Sequence, residues 1–79
     1  MKPDMFVLLM VKDNAGRALI RTMRRTDRMK DLLDFSCAIF DVPVDRGRLT
    51  FSGKQVTIEK TPKCLSMKDW DKVMFELTT

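Results

Sequence analysis

The sequence contains no histidine and no tyrosine, and only two cysteines, three glycines and three prolines in 79 residues. Each shortage excludes something. Without histidine there is no Cys–His or Ser–His nucleophile pair, and two cysteines alone do not complete a tetrahedral zinc set. Cys37 and Cys64 make no disulfide framework of the kind that small secreted domains rely on, and both read as small buried hydrophobes. The scarcity of glycine and proline leaves no flexible linker, and no internal repeat or low-complexity tract is present. No apolar run approaches the roughly 20 residues that span a bilayer. The longest, Met5 to Val11, has the length of a strand, and Met1-Lys2-Pro3-Asp4 before it makes a poor signal peptide. A location inside the cell, away from membranes, is the expectation.

What is present fits one small globular domain over residues 1–79. Hydrophobic residues make up 44% and charged residues 33%, a soluble rather than a disordered balance. A chain this short buries only about 60–65% of the surface its unfolded form exposes, so its core is thin. A two-layer domain of this size offers little cavity, and the chain carries no phosphate loop, nucleophile elbow or metal-ligand spacing. No catalytic residue, cofactor or metal is therefore expected, and the protein reads as a non-enzyme. The net charge of +4 comes largely from Arg17, Arg21, Arg24, Arg25 and Arg28. Arginine forks suit phosphates, but a charged edge strand also prevents sheet-to-sheet aggregation. No aromatic stacking platform accompanies the arginines, which argues against a nucleic-acid partner.

Met5–Val11 reads as a strand buried on both faces. Asp13-Asn14-Ala15-Gly16 tolerates a tight reversal, and Arg17–Arg24 mixes apolar and basic residues as a strand with one wet face, completing a hairpin. The helix follows, capped by Asp27 or Thr26, with Met29, Leu32, Leu33, Ser36, Ile39 and Phe40 along one face. Pro43 ends it by Asp41. Arg48–Phe51 is a short strand, Gln55–Ile58 a second extended piece, and Thr61–Leu65 a helical turn with proline at its permitted first position. Lys72–Leu77 closes the chain as a strand. One helix across one face of a mixed sheet, in the order ββαββ, is the α+β arrangement of the ubiquitin-like β-grasp.

The second half resembles SUMO. Val42-Pro43-Val44-Asp45 followed by Arg48-Leu49-Thr50-Phe51-Ser52-Gly53-Lys54 is similar to SUMO's stretch from helix to central strand, including its Phe-x-Gly-x turn. Thr61-Pro62-Lys63-Cys64-Leu65-Ser66-Met67 resembles its Thr-Pro-x-x-Leu-x-Met motif at the same spacing from that turn, and Cys37 falls where SUMO also has a helix cysteine. The likeness runs without gaps from about Arg24 to Phe75. One departure is the ending: Leu77-Thr78-Thr79 replaces the diglycine tail of conjugated family members, so the expectation is a chain that is not conjugated. A SUMO-like domain without diglycine resembles the C-terminal repeats of genome-stability scaffold proteins, and the sequence reads as such a repeat excised from a longer protein. A SUMO paralogue ending before its diglycine is the alternative.

The resemblance implies two binding surfaces. The first, which in the scaffold repeats meets the SUMO-conjugating E2 non-covalently, falls on Arg48, Ser52, Gly53, Lys54, Ser66, Lys68, Asp69, Trp70 and Asp71. Asp69 and Asp71 keep family carboxylates, Ser52 and Lys68 stand where SUMO has acids, and Trp70 replaces another. The second is the groove between second strand and helix, where SUMO takes an extended hydrophobic peptide. It falls on Leu19, Arg21, Met23, Arg24, Lys30 and Leu33, with Arg21 set where the family has an apolar side chain. The resemblance thus implies a monomeric, nuclear protein-binding module of the SUMO pathway in DNA repair, with the E2 as partner and peptide recognition as the alternative.

Overall fold

The computed structural model describes residues 5–78; Met1–Asp4, read above as a poor signal peptide, and Thr79 at the chain end lie outside the described residues. The apolar run forms β1 (Phe6–Lys12), and a turn leads into β2 (Ala18–Arg24). Helix α1 (Met29–Phe40) follows, then a 3-10 turn at Val44–Arg46, β3 (Gly47–Phe51), a two-residue β4 (Lys54–Gln55) and β5 (Asp71–Leu77). The strands form one mixed sheet in the order β2-β1-β5-β3-β4. The first and last strands lie parallel at its centre, Leu9 beside Asp71 and Val11 beside Val73, and the other pairings are antiparallel. With α1 packed across one face, this is the expected ββαββ β-grasp.

The hairpin turn is held by one side chain. Asp13 accepts from the amides of Ala15 (3.0 Å) and Arg17 (2.8 Å), and its second oxygen accepts from Arg17 Nε (2.7 Å). Gly16 takes the left-handed conformation there, at φ +87°, where a side chain would be strained. Arg17 also donates to the Phe40 carbonyl (3.2 Å) and lies 4.8 Å from the centre of the Phe40 ring. The first arginine of the basic stretch therefore joins the hairpin to the helix end.

Strand β1 departs from the expectation of burial on both faces. Val7, Leu9 and Val11 are buried, whereas Phe6, Leu8 and Met10 alternate with them and remain exposed or half-buried. A single helix covers a single face, so the other side of an all-apolar strand is left uncovered. On α1, Met29, Leu32, Leu33, Ser36, Cys37 and Phe40 are buried. Ile39, expected on that face, is 55% exposed, because the helix rolls toward the Cys37 side. Ser36 sits in the core without penalty, donating to the Leu32 carbonyl at 2.7 Å.

The helix start corrects a second expectation. Neither Asp27 nor Thr26 caps it: the cap position is Arg28, which makes no side-chain capping bond, and Asp27 instead accepts from the Arg24 amide. The free amides of Met29 and Lys30 donate to the carbonyls of Lys60 (2.7 Å) and Ile58 (2.9 Å). A distant backbone segment meets the orphan donors of the first turn. The other end is as expected: the helix stops at Phe40, and Asp41 turns left-handed at φ 59° before Pro43.

Of the extended piece predicted over Gln55–Ile58, only Gln55 joins the sheet; the chain then turns to supply the carbonyls that cap α1. Thr61–Leu65 makes the expected single helical turn, the Leu65 amide donating to the Thr61 carbonyl at 3.1 Å, with Pro62 buried and Cys64 exposed. The Cys64 reading as a buried hydrophobe is thus corrected, whereas Cys37 is buried, and burial with the nearby Asp34 pushes its thiol up. Among the described residues no helix is long and apolar enough to cross a membrane.

Two predictions follow from the packing. A Cβ added at Gly47 would lie 2.8 Å from both Cys37 Sγ and Phe75 Cζ, and Phe75 is itself set edge-on against Phe40. Gly47→Ala should therefore cost about 1–3 kcal/mol in urea unfolding, and an unchanged midpoint would mean that the ring moves aside freely. For Asp13, desolvation raises the carboxyl pKa, but the hydrogen bonds and charge of Arg17 and the Ala15 amide outweigh it and hold it below 3.8. A pKa lowered by folding contributes stability above the unfolded value, which is lost as pH falls through the folded one. Asp13→Asn should thus be less stable than the parent at neutral pH, with the gap closing below pH 3.8. A gap independent of pH in thermal melts would contradict this account.

Candidate functional site

The first predicted surface gathers at one end of the sheet. The register that sets Thr50 beside Met74 carries Ser52 and Gly53 to the level where β5 begins. Ser52, Gly53 and Lys54 are exposed at the β3–β4 turn, and so are Ser66, Lys68, Asp69 and Trp70 in the segment before β5. Arg48 lies further along β3 and is taken by Glu76, with Nη2 3.0 Å from the carboxylate. The predicted set is therefore one exposed end plus a paired arginine.

The two carboxylates have structural work. Asp69 Oδ1 accepts from the Leu8 amide at 2.9 Å, and Asp71 Oδ2 accepts from the Lys68 amide at 2.8 Å. The Leu8 carbonyl in turn accepts from the Trp70 amide at 2.7 Å. Both acids thus shape the loop that precedes β5, and replacing either one disturbs that loop as well as its surface. With Lys54, Lys68 and Lys72 exposed nearby, the region is not acidic in balance.

Backbone conformation sets this end apart. Ser52 (φ 54°), Ser66 (φ 54°) and Trp70 (φ 70°) are three of the four non-glycine residues with positive φ among the described residues. The left-handed region is uncommon for side-chain-bearing residues, and a bulky one there is an outlier. Trp70 is nevertheless 58% exposed, so no core packing accounts for holding it there.

The second predicted surface is only partly available. Met23 and Leu33, at 3% and 6% exposure, belong to the core. Leu19 and Arg21 are half-buried, Arg24 is exposed, and Lys30 is exposed and paired with Asp34 at 2.8 Å. Arg21 lays its guanidinium 4.2 Å from the centre of the Phe35 ring. Phe35 has no place in the sequence-derived set; a half-apolar helix flank opposite an arginine was the available signal. The stack covers the apolar slot with the chain's own cation.

The arginine stretch is likewise dispersed. Arg25 donates to the Met67 carbonyl at 2.7 Å, Arg17 and Arg21 lie against Phe40 and Phe35, and only Arg24 and Arg28 remain outward and unpaired among the described residues. The other exposed group of chemical interest is Cys64. The Thr61 hydroxyl and backbone, aided by Lys60 and Lys63, hold its thiol below the ordinary value. A shallow cleft of about 590 Å³ between helix and Gln55–Glu59 includes Arg48 and Leu33 but no other predicted residue. No cluster of three or more metal-ligating side chains occurs among the described residues.

No family model matches the sequence, and no curated protein does. Solved structures do. A ubiquitin from Caldiarchaeum subterraneum superimposes with a TM-score of 0.86 at 21% identity, covering 94% of this chain and 95% of its own. The ubiquitin-like domain of Dsk2 from Plasmodium falciparum gives 0.85 at 18% identity, over 94% of this chain and 100% of its own. With one helix across a five-stranded mixed sheet and these neighbours, the chain has the ubiquitin-like β-grasp fold.

Proposed function

We propose that this domain is a protein-interaction module that binds the SUMO-conjugating E2 non-covalently through the end of the sheet where the β3–β4 turn meets the Ser66–Asp71 loop. Trp70 is the observation that carries this reading. Its backbone sits at φ 70° with the ring largely in solvent, a combination that costs on the order of 1 kcal/mol and that glycine would avoid. An exposed tryptophan held against local stability fits a binding anchor, and tryptophan is enriched among interface hot spots. The neighbouring acids hold the loop, so the contact rests on apolar area more than on charge. Lys68, where SUMO carries an acid, weakens the match to a basic E2 patch. A role beside the E2 would act in the nucleus, in genome maintenance, as the SUMO resemblance implies.

Peptide recognition along β2 is the second reading, favoured by one observation. β2 is an edge strand, open to an added strand, with Arg24 exposed beside it. It requires the Arg21–Phe35 stack to open.

The test is an NMR titration of the ¹⁵N-labelled domain with the SUMO-conjugating E2. Shifts should cluster on Ser52–Lys54 and Ser66–Asp71. Trp70→Gly should keep or raise the melting temperature yet weaken binding by about tenfold or more. Lys68→Glu should tighten it several-fold. Shifts confined to Leu19–Arg24 and the helix would favour the groove instead. An unchanged Kd for Trp70→Gly would sink the E2 surface.

A further inference from the structure

The cleft between α1 and the Gln55–Glu59 segment belongs to neither surface above. Leu33, Leu49 and Val56 form its buried apolar floor, and Val44 and Ile58 stand in its walls. Its free charge is of one sign. Asp45 on the 3-10 turn and Glu59 at the other wall both line it, are exposed, and form no ion pair with another described residue. The cations that follow them in sequence, Arg46 and Lys60, line two other clefts. Arg48, which does line this one, is engaged by Glu76. The backbone adds an acceptor. The Thr78 amide donates to the Arg46 carbonyl at 2.8 Å on the β5 side, and strand alternation turns the next carbonyl, that of Gly47, to the opposite edge. There β4 pairs only with Thr50 and Phe51, and the Val56 amide reaches no further than the Leu49 carbonyl. The Gly47 carbonyl thus looks toward the cleft with no hydrogen-bond partner among the described residues.

We propose that this cleft is a binding site for an arginine side chain presented by a partner protein. An arginine has an apolar stem and a charged head, the same division as the floor and rim here. Its stem would lie over Leu33, Leu49 and Val56, and its head would meet Asp45, Glu59 and the Gly47 carbonyl. A guanidinium suits such a rim better than an ammonium does. It offers five donors in a fixed fork and gives up its hydration more readily. A volume of about 590 Å³ is within the range of ligand clefts and leaves room for an apolar neighbour of that arginine. A partner bearing glutamate or phosphate does not fit, because both free charges at the rim are negative. The proposal does not rest on the E2 reading. The cleft shares only Arg48 with that surface, and the Arg48 side chain is held by Glu76.

The test uses three capped synthetic peptides, identical except at one position beside a leucine, which holds arginine, lysine or glutamate. Titrated into the ¹⁵N-labelled domain, the arginine peptide should shift the amides of Asp45, Gly47, Leu49 and Glu59, with binding that weakens as salt rises. The lysine peptide should bind about threefold more weakly or worse, and the glutamate peptide should leave these amides unmoved. Asp45→Asn and Glu59→Gln should each weaken the arginine peptide about threefold or more, whereas Trp70→Gly, on the E2-type surface, should leave its binding unchanged. The double variant Asp45→Lys, Glu59→Lys should reverse the preference toward the glutamate peptide. Equal binding of the three peptides to the parent domain, or shifts confined to another part of it, would overturn the proposal. So would the same shifts on concentrating the domain alone, which would assign the cleft to a second copy.

Discussion

Leu8 is gripped at both ends of its backbone by the loop that precedes the last strand. Its amide donates to the Asp69 carboxylate and its carbonyl accepts from the Trp70 amide, and from there β1 and β5 run parallel through the centre of the sheet. The rest of the architecture depends on this junction. Parallel neighbours cannot be joined by a tight turn, so the chain between them must cross over, and α1 with β3 and β4 forms that crossover. Leu9, Val11 and Val73, at the junction, have essentially no exposed surface. The loop presenting Trp70 is therefore anchored to the most buried part of the molecule.

That coupling explains why the two acids carried over by resemblance from a charged interface appear as backbone acceptors here. A carboxylate that accepts from an amide keeps its charge near the surface, but its position is dictated by the loop. The arginine stretch follows the same logic at a larger scale. Arg17 and Arg25 reach backbone carbonyls at the helix end and near Met67, so their side chains staple loops that a thin core would hold weakly. Arg21 covers Phe35 with its planar head. What reads in one dimension as a block of like charge becomes in three dimensions several separate fasteners and a few free cations.

A one-helix, one-sheet domain has a further consequence. The sheet's inner face is sealed by α1, while its outer face is open to whatever side chains the strand alternation delivers there. In β1 these are Phe6, Leu8 and Met10, so the strand most central to stability also supplies the most apolar outer row. The strained, exposed end of the sheet and this outer row meet at Leu8 but have different physical origins: backbone conformation at Trp70, and the lack of a covering layer at β1.

Much of the fold was legible in the sequence, because it rests on local rules. The Asp-Asn-Ala-Gly reversal, the helix face from Met29 to Phe40, the stop before Pro43 and the two strands that follow are each set by propensity and period within a few residues. The Phe-x-Gly turn and the segment after the Thr-Pro run, singled out by resemblance, come together at one exposed end of the sheet. Only the tertiary structure decided the rest. The helix start is capped by carbonyls some thirty residues away, Ile39 faces out because of how α1 rolls on the sheet, and Met23 and Leu33 are core rather than groove. Asp69 and Asp71 hold a loop instead of standing free. Hydropathy marks a residue as buried or wet, but which partner an amide or a carboxylate finds depends on which distant segment arrives beside it.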